Sequence, residues 1–213
     1  MKVIFATGNQ GKMKEINMIL NDVKCDIISM KEAGLNPEII ENGSTFEENA
    51  MIKASIVAKA AKQSGRFENE KIIVMADDSG LEVDYLDKAP GIYSARFLGE
   101  DTSYAIKNKY IIDKLDGVPK EKRTARFVCA IACVTDEGQQ FTTRATIEGY
   151  IGYEQEGENG FGYDPIFRVD EFNCSTAQLS PEQKNKISHR GKALTAMKKI
   201  LVDKKVVELA WWG

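Results

Sequence analysis

Two adjacent acids, Asp77-Asp78, followed at once by Ser79-Gly80, close the apolar run Ile72-Ile73-Val74-Met75-Ala76. The run is short, β-branched and ends in turn-forming residues, so it reads as a buried strand with carboxylates at its mouth. In open α/β sheets that edge receives ligands, and a carboxylate pair beside a tight Gly turn suits Mg²⁺. Side chains alternate along a strand, so Asp77 and Asp78 should point in opposite directions, one toward a cleft and the other into a structural role. The same tetrapeptide also reads as a plain strand-to-turn exit with its side chains bonded to backbone.

A second candidate is Thr7-Gly8-Asn9-Gln10-Gly11-Lys12, which joins a strand to a helix. Backbone N–H groups and the positive end of the helix dipole converge there beside Lys12, which makes a cradle for phosphate. It is not a Walker A loop, because the spacing from Gly8 to Gly11 is too short and Met13 stands where a metal-binding Ser or Thr is needed. The plainer alternative is a βα turn with a solvated lysine. Lys53 raises a related question, since at 100° per residue it falls in the stripe Phe46, Ala50, Val57, Ala61. A cation there must snorkel, pair with an acid or face an anionic ligand.

Gly160-Phe161-Gly162-Tyr163-Asp164-Pro165 combines glycines that admit close backbone approach, an aromatic able to stack on a base, and an acid able to accept from ring N–H groups. It also reads as an irregular connection with one buried aromatic. The single histidine lies in Ser188-His189-Arg190, after Lys184 and at a helix start. A lone histidine is commonly structural. A cation at a helix N-terminus, however, opposes the dipole, so Arg190 and His189 should reach for another partner, and a purine carbonyl or ring nitrogen fits those donors.

The elements that must position these residues follow from periodicity. A strand from Lys2 to Ala6 leads into a helix from Asn9 to Leu20, and a second strand covers Lys24 to Ser29. An irregular stretch containing Glu41 precedes a long helix, whose start is marked by Ser44-x-x-Glu47 and Thr45-x-x-Glu48 and whose end is marked by Gly65. A helix from about Thr102 to Leu115 has Asp101 as cap and Gly117 as exit. Strands from Arg123 to Thr135 and from Gln140 to Tyr150 form a hairpin around Asp136-Glu137-Gly138-Gln139. A polar loop from Gly152 to Gly162 and a helix from about Ser188 to Asp203 complete the chain, with a tail Leu209-Ala210-Trp211-Trp212-Gly213 that either covers a groove or interface or is a free end.

With 213 residues, 43% of them hydrophobic, the chain supports a large core as one domain or two closely packed lobes. A net charge of −3 provides no general field for nucleic acid, so any anion site must be local. No apolar run approaches the roughly 18 residues of a membrane span, and the N-terminus carries no signal-peptide pattern. The expectation is a cytoplasmic protein with neither nucleic-acid nor membrane partners. Cysteines 25, 129, 133 and 174 lack metal-site spacing and read as reduced, mostly buried thiols, with Cys129 and Cys133 on one core-facing side of a strand.

Taken in order, Thr7-Gly8-Asn9-x-Gly11-Lys12, Thr45-Phe46-x-Glu48-Asn49-Ala50-x-x-Lys53-Ala54, Asp77-Asp78-Ser79-Gly80-Leu81, Pro90-Gly91-Ile92-Tyr93-Ser94-Ala95-Arg96, Gly160 to Pro165 and Ser188-His189-Arg190 resemble the inosine and xanthosine triphosphate pyrophosphatase family over nearly the whole chain. The resemblance implies an α/β fold, an elongated mixed twisted β-sheet flanked by helices, in two lobes around a central substrate cleft, as a homodimer. It implies Mg²⁺-dependent cleavage of ITP, dITP or XTP to the monophosphate and pyrophosphate. By position it gives the triphosphate to Thr7, Gly8, Asn9, Gln10, Gly11, Lys12 and Lys53, and the metal to Glu41 and Asp78. Asp78 is the implied proton acceptor and Ser79 a substrate contact. Phe161, Gly162, Tyr163, Asp164, Lys184, His189 and Arg190 form the implied base wall. The stretch from Gly65 to Lys71 carries no motif and no role. The alternatives are a pyrophosphatase of related fold acting on pyrimidine or modified nucleotides, and a nucleotide-binding sensor that has no need of Asp78 and Glu41.

Overall fold

Alternating short apolar runs and amphipathic stretches give an α/β chain. The structure is a computed structural model that describes residues 1–210. Strands β1 (Lys2–Phe5), β2 (Asp26–Ser29), β3 (Ile72–Val83), β4 (Thr124–Thr135), β5 (Gln140–Ile151), β6 (Phe167–Val169) and β7 (Cys174–Ser175) lie in one mixed sheet in the order β2-β1-β3-β4-β5-β6-β7. The helices are α1 (Gln10–Ile19), α2 (Phe46–Gln63), α3 (Tyr104–Lys114), α4 (Pro181–Ile187) and α5 (His189–Asp203). β1 pairs in parallel with β2 and β3, and the connections carrying α1 and α2 supply the crossovers that parallel pairing requires. β6 runs antiparallel to both β5 and β7.

The chain divides into two compact units. Unit 1 contains Met1–Asp78, Cys129–Ala145 and the chain from Arg190 onward, and unit 2 contains Ser79–Val128 and Thr146–His189. In unit 1, Val3 and Phe5 of β1, Ile16 of α1, Ile73 and Met75 of β3, Cys129 and Cys133 of β4, and Leu194 and Met197 of α5 make one core. The core of unit 2 gathers Leu81, Val83, Ile111, Leu115, Phe127, Ile151, Tyr163 and Phe167. All four cysteines are free thiols, and Cys129 and Cys133 are fully buried on one face, as their spacing predicts.

Local signals account for the helix ends. Asn9 Oδ1 accepts from Lys12 N at the start of α1. Thr45 Oγ1 accepts from Glu48 N at the start of α2, while the Glu48 carboxylate reaches back to Ser44 N at 2.7 Å. Three expectations change. β3 does not stop at Ala76 but runs through Asp77-Asp78-Ser79-Gly80 to Val83, so the two acids lie within a strand and not beside a turn. The reason is that Leu81 and Val83 continue the buried pattern and Glu82 bridges to Pro90. α3 starts at Tyr104, capped by Ser103 and not Asp101. α4 is an additional helix, begun by a reciprocal Ser180–Gln183 capping box with Pro181 in its first turn. At the chain end Ala210 N donates to Asp22 O, and Trp211, Trp212 and Gly213 of the tail lie outside the described residues. Among the described residues no helix is long and apolar enough to cross a membrane.

Candidate active site

In unit 1, β1 delivers Thr7 and Lys12 through its turn into α1, α2 delivers Asn49 and Lys53, and β3 delivers Asp77 and Asp78. Strand alternation separates the two acids. Asp77 meets Lys12, whose Nζ lies 2.9 Å from its carboxylate, and Arg190, whose Nε and Nη2 donate to Oδ2 at 3.3 Å. Arg190 Nη1 also bonds Glu15 Oε2. Asp78 Oδ2 instead accepts from Asn49 Nδ2 at 3.2 Å. Lys53 bridges the two arrangements, donating to the Asp77 backbone carbonyl at 3.1 Å and pairing with Glu41 Oε1 at 3.1 Å. Of the outcomes open to that cation, it takes an acid partner.

Glu41 is brought into place by a close backbone approach. Gly43 N donates to Asn49 Oδ1 at 2.8 Å, and a Cβ on Gly43 would lie 2.7 Å from the Glu48 side chain. Glycine is required there because the loop lies directly on the first turns of α2. Asn49 therefore holds the loop with its oxygen and Asp78 with its nitrogen. Asparagine in the buried stripe of α2 was the available signal for this role, since a fully buried amide must find partners.

The two acids differ in protonation. Burial alone would raise the Asp77 pKa, but Lys12, Arg190 and Lys53 outweigh it and hold the carboxyl well below its ordinary value. Asp78 goes the other way. Burial pushes it up to about 6, Lys53 opposes the shift and the neighbouring Glu41 charge adds to it. An adjacent divalent cation would favour its ionised form.

That chemistry fits Mg²⁺. Asp78 and Glu41 offer hard oxygen donors, and Mg²⁺ bound with a nucleotide takes one or two carboxylates together with phosphate oxygens. Among the described residues no cluster of three or more His, Cys, Asp and Glu is placed to hold a metal ion, and Asp78 and Glu41 are the two carboxylates that could do so.

Unit 2 holds the turn Phe161 to Asp164. Asp164, only 2% exposed, accepts from Phe161 N at 2.8 Å and Lys184 Nζ at 2.7 Å on Oδ2, and from Thr176 Oγ1 at 2.8 Å on Oδ1. Lys184 Nζ also lies 4.9 Å from the Phe161 ring centroid. A Cβ on Gly160, whose φ is +76°, would sit 2.3 Å from Asp164 Oδ2, so the turn needs glycine on both counts. His189 stacks on Phe127 with centroids 4.9 Å apart. Phe161, Gly162, Tyr163, Asp164, Lys184 and His189 thus share unit 2, whereas Arg190 belongs to unit 1 and its guanidinium contacts Asp77 and Glu15. Ser79 opens unit 2 on the same strand as Asp78. Phe127 carried no sequence signal, because an apolar residue in a strand reads as core.

A parallel α/β edge that gathers a Gly-containing strand-to-helix turn, two lysines and a split carboxylate pair defines a class of α/β proteins with a charged candidate site at the carboxyl ends of the strands. The Ham1 family profile matches residues 3–200, and the chain belongs to the Ham1 family. It is 47% identical over 201 residues to the dITP/XTP pyrophosphatase of Exiguobacterium sibiricum, covering 94% of this chain and 97% of that protein. It is 44% identical to the dITP/XTP pyrophosphatase of Bacillus subtilis, with 94% and 96% covered. Among solved structures, a HAM1 protein from Coxiella burnetii superposes with a TM-score of 0.82 at 35% identity, covering 95% of this chain and 99% of that one. The expected fold class, a mixed sheet with flanking helices, agrees with that structure.

Proposed function

We propose that this chain is a nucleoside triphosphate pyrophosphatase that hydrolyses deaminated purine nucleotides, ITP, dITP and XTP, to the monophosphate and pyrophosphate. It is an enzyme of the hydrolase class, the activity carried by the names of its Ham1 relatives. The observation that carries the reading is the divergence of Asp77 and Asp78, one bound by Lys12 and Arg190 and the other turned to Asn49. Ionised, as an adjacent divalent cation would favour, Asp78 is suited to accept a proton from water.

In this reading the turn from Thr7 to Lys12 and the α1 N-terminus bind phosphate oxygens, and Lys12 and Lys53 offset their charge. Asp78 takes a proton from water as its oxygen attacks the α phosphorus. The bond from that phosphorus to the bridging oxygen breaks, and pyrophosphate leaves with the electron pair. Mg²⁺ held by Asp78 and Glu41 would supply charge neutralisation on the phosphates. Asp77 positions Lys12, and Arg190 balances Asp77. Ser79 is the substrate contact at the strand.

On the base side, Phe161 offers a stacking face, and Lys184 and His189 offer donors for a 6-oxo group. Adenine presents an amino donor at that position, which would face the Lys184 and His189 donors and be disfavoured. Asp164 accepts from three protein donors, and its role here is to hold the turn and balance Lys184. The enzyme works as a homodimer in the cytoplasm, a setting in keeping with four free thiols.

The test is pyrophosphate release with Mg²⁺ from ITP, XTP, GTP, ATP and UTP, repeated with Asp78→Asn. Turnover of ITP and XTP that falls about 10²-fold or more in the variant is expected. Preference for UTP, or tight binding without turnover, would overturn the reading.

A further inference from the structure

The segment Pro90 to Arg96 is one of the motifs behind the family resemblance, yet nothing above gives it a role. Its centre is heavily bonded. Ser94 Oγ accepts from Leu81 N at 2.9 Å and donates to Gly91 O at 2.7 Å. The next two carbonyls receive side-chain donors from elsewhere in unit 2. Tyr163 Oη donates to Ser94 O at 2.7 Å, and Lys107 Nζ donates to Ala95 O at 2.6 Å.

Lys107 is unusual because it is 1% exposed and has no carboxylate partner among the described residues. Burying an ammonium without an anion is costly, and an apolar side chain would fill the same volume more cheaply. What its charge secures is the Ala95 carbonyl and the face of Tyr104, 4.8 Å from the ring centroid. Tyr104 meets Tyr163 edge-on, with centroids 5.2 Å apart at 90°, and its ring lies 3.6 Å from where a Cβ on Gly162 would stand. Asn108 donates to Gly162 O at 3.1 Å. Tyr104, Lys107 and Asn108 are spaced i, i+3, i+4, so one face of α3 touches both the Ser94-Ala95 segment and the turn from Phe161 to Asp164.

We infer that Lys107 is a positioning residue for base discrimination, which with Tyr163 pins the turn from Phe161 to Asp164 to the Ser94-Ala95 segment. The inference rests on the purine triphosphate reading above. The turn sits at the end of a long loop, with Gly160 just before it and Gly162 within it, each at positive φ, so its position depends on side-chain bonds to neighbouring segments. Asp164 of that turn holds Lys184 Nζ at 2.7 Å, so a turn that shifts by an ångström also displaces the donor that would meet the 6-oxo group.

The test is Lys107→Met, which keeps the volume and removes the buried charge, beside Tyr163→Phe, which removes one hydroxyl. Two readouts are taken: the ratio of kcat/KM for ITP over ATP, and amide hydrogen exchange of residues 158–166. In Lys107→Met the ratio should fall about tenfold, chiefly through a higher KM for ITP, with faster exchange in that segment. Tyr163→Phe should move both readouts in the same direction. A ratio unchanged in Lys107→Met, including an equal loss on both substrates, overturns the inference whatever the exchange rates do. If the wild-type protein hydrolyses no purine triphosphate, the functional reading fails, and exchange then decides the pinning separately: faster exchange sustains it and unchanged exchange overturns it.

Discussion

Arg190 and Asp77, 113 residues apart in sequence, meet inside unit 1, with Nε and Nη2 of the guanidinium both donating to Oδ2 of the carboxylate at 3.3 Å. Both side chains are almost wholly buried, at 2% and 1% exposure. The contact ties the first turn of α5 to the centre of β3. It also sets Lys12, because the same carboxylate binds both cations.

Removing one member of a buried ion cluster leaves the others uncompensated. Arg190→Met should therefore destabilise the protein by about 3 kcal/mol, read from urea unfolding. A base-contacting arginine with no structural part would raise KM and leave the unfolding midpoint unmoved.

The neighbouring acid makes a pH prediction with a definite sign. Asp78 has a folded-state pKa raised to about 6 by burial, above its ordinary unfolded value. Between about pH 4 and pH 6 the folded state thus binds more protons than the unfolded state. Its contribution is fully present below that window and is lost as pH rises through it. In EDTA, stability should lose about 2 kcal/mol across the window relative to Asp78→Asn, which has no proton to lose. Parallel pH profiles of the two proteins would count against the burial argument.

Lys53 predicts two effects of opposite direction. It pairs with Glu41, so Lys53→Met frees that carboxylate, and Mg²⁺ alone should bind several-fold tighter by calorimetry. The variant also loses a phosphate-binding cation, and KM for ITP should rise about tenfold or more. Weaker binding of both would mean that Lys53 shapes the loop and does not compete with the metal.

Gly160 makes a backbone prediction. A methyl group there collides with Asp164 Oδ2, and its φ of +76° disfavours any L side chain. Gly160→Ala should lower stability by about 1–2 kcal/mol and raise KM for ITP, checked by thermal unfolding and steady-state kinetics. Gly8 is the control: a Cβ there meets nothing within 4 Å, so Gly8→Ala should leave stability nearly unchanged.

The sequence by itself determined whatever depends on neighbours a few residues away. The turn from Thr7 to Lys12, the Thr45 cap of α2, the hairpin of β4 and β5 and the opposite facing of Asp77 and Asp78 all follow from capping, turn chemistry and strand alternation. The order of motifs along the chain was equally legible and led to the family.

Tertiary structure decided where those residues found their partners. The run from Ile72 to Ala76 looked complete, but pairing carried β3 on to Val83 and turned an apparent strand exit into strand interior. Arg190 read as a base contact because a cation at a helix start needs a partner, and only the fold supplied Asp77 and Glu15. Lys107 carried no signal in the sequence, and only the packing of α3 sets it against the Ala95 carbonyl and the Tyr104 ring. For Arg190 and Lys107 the determining free energy is the burial of a charge beside residues distant in sequence, and for β3 it is pairing and apolar burial, neither of which a local pattern encodes.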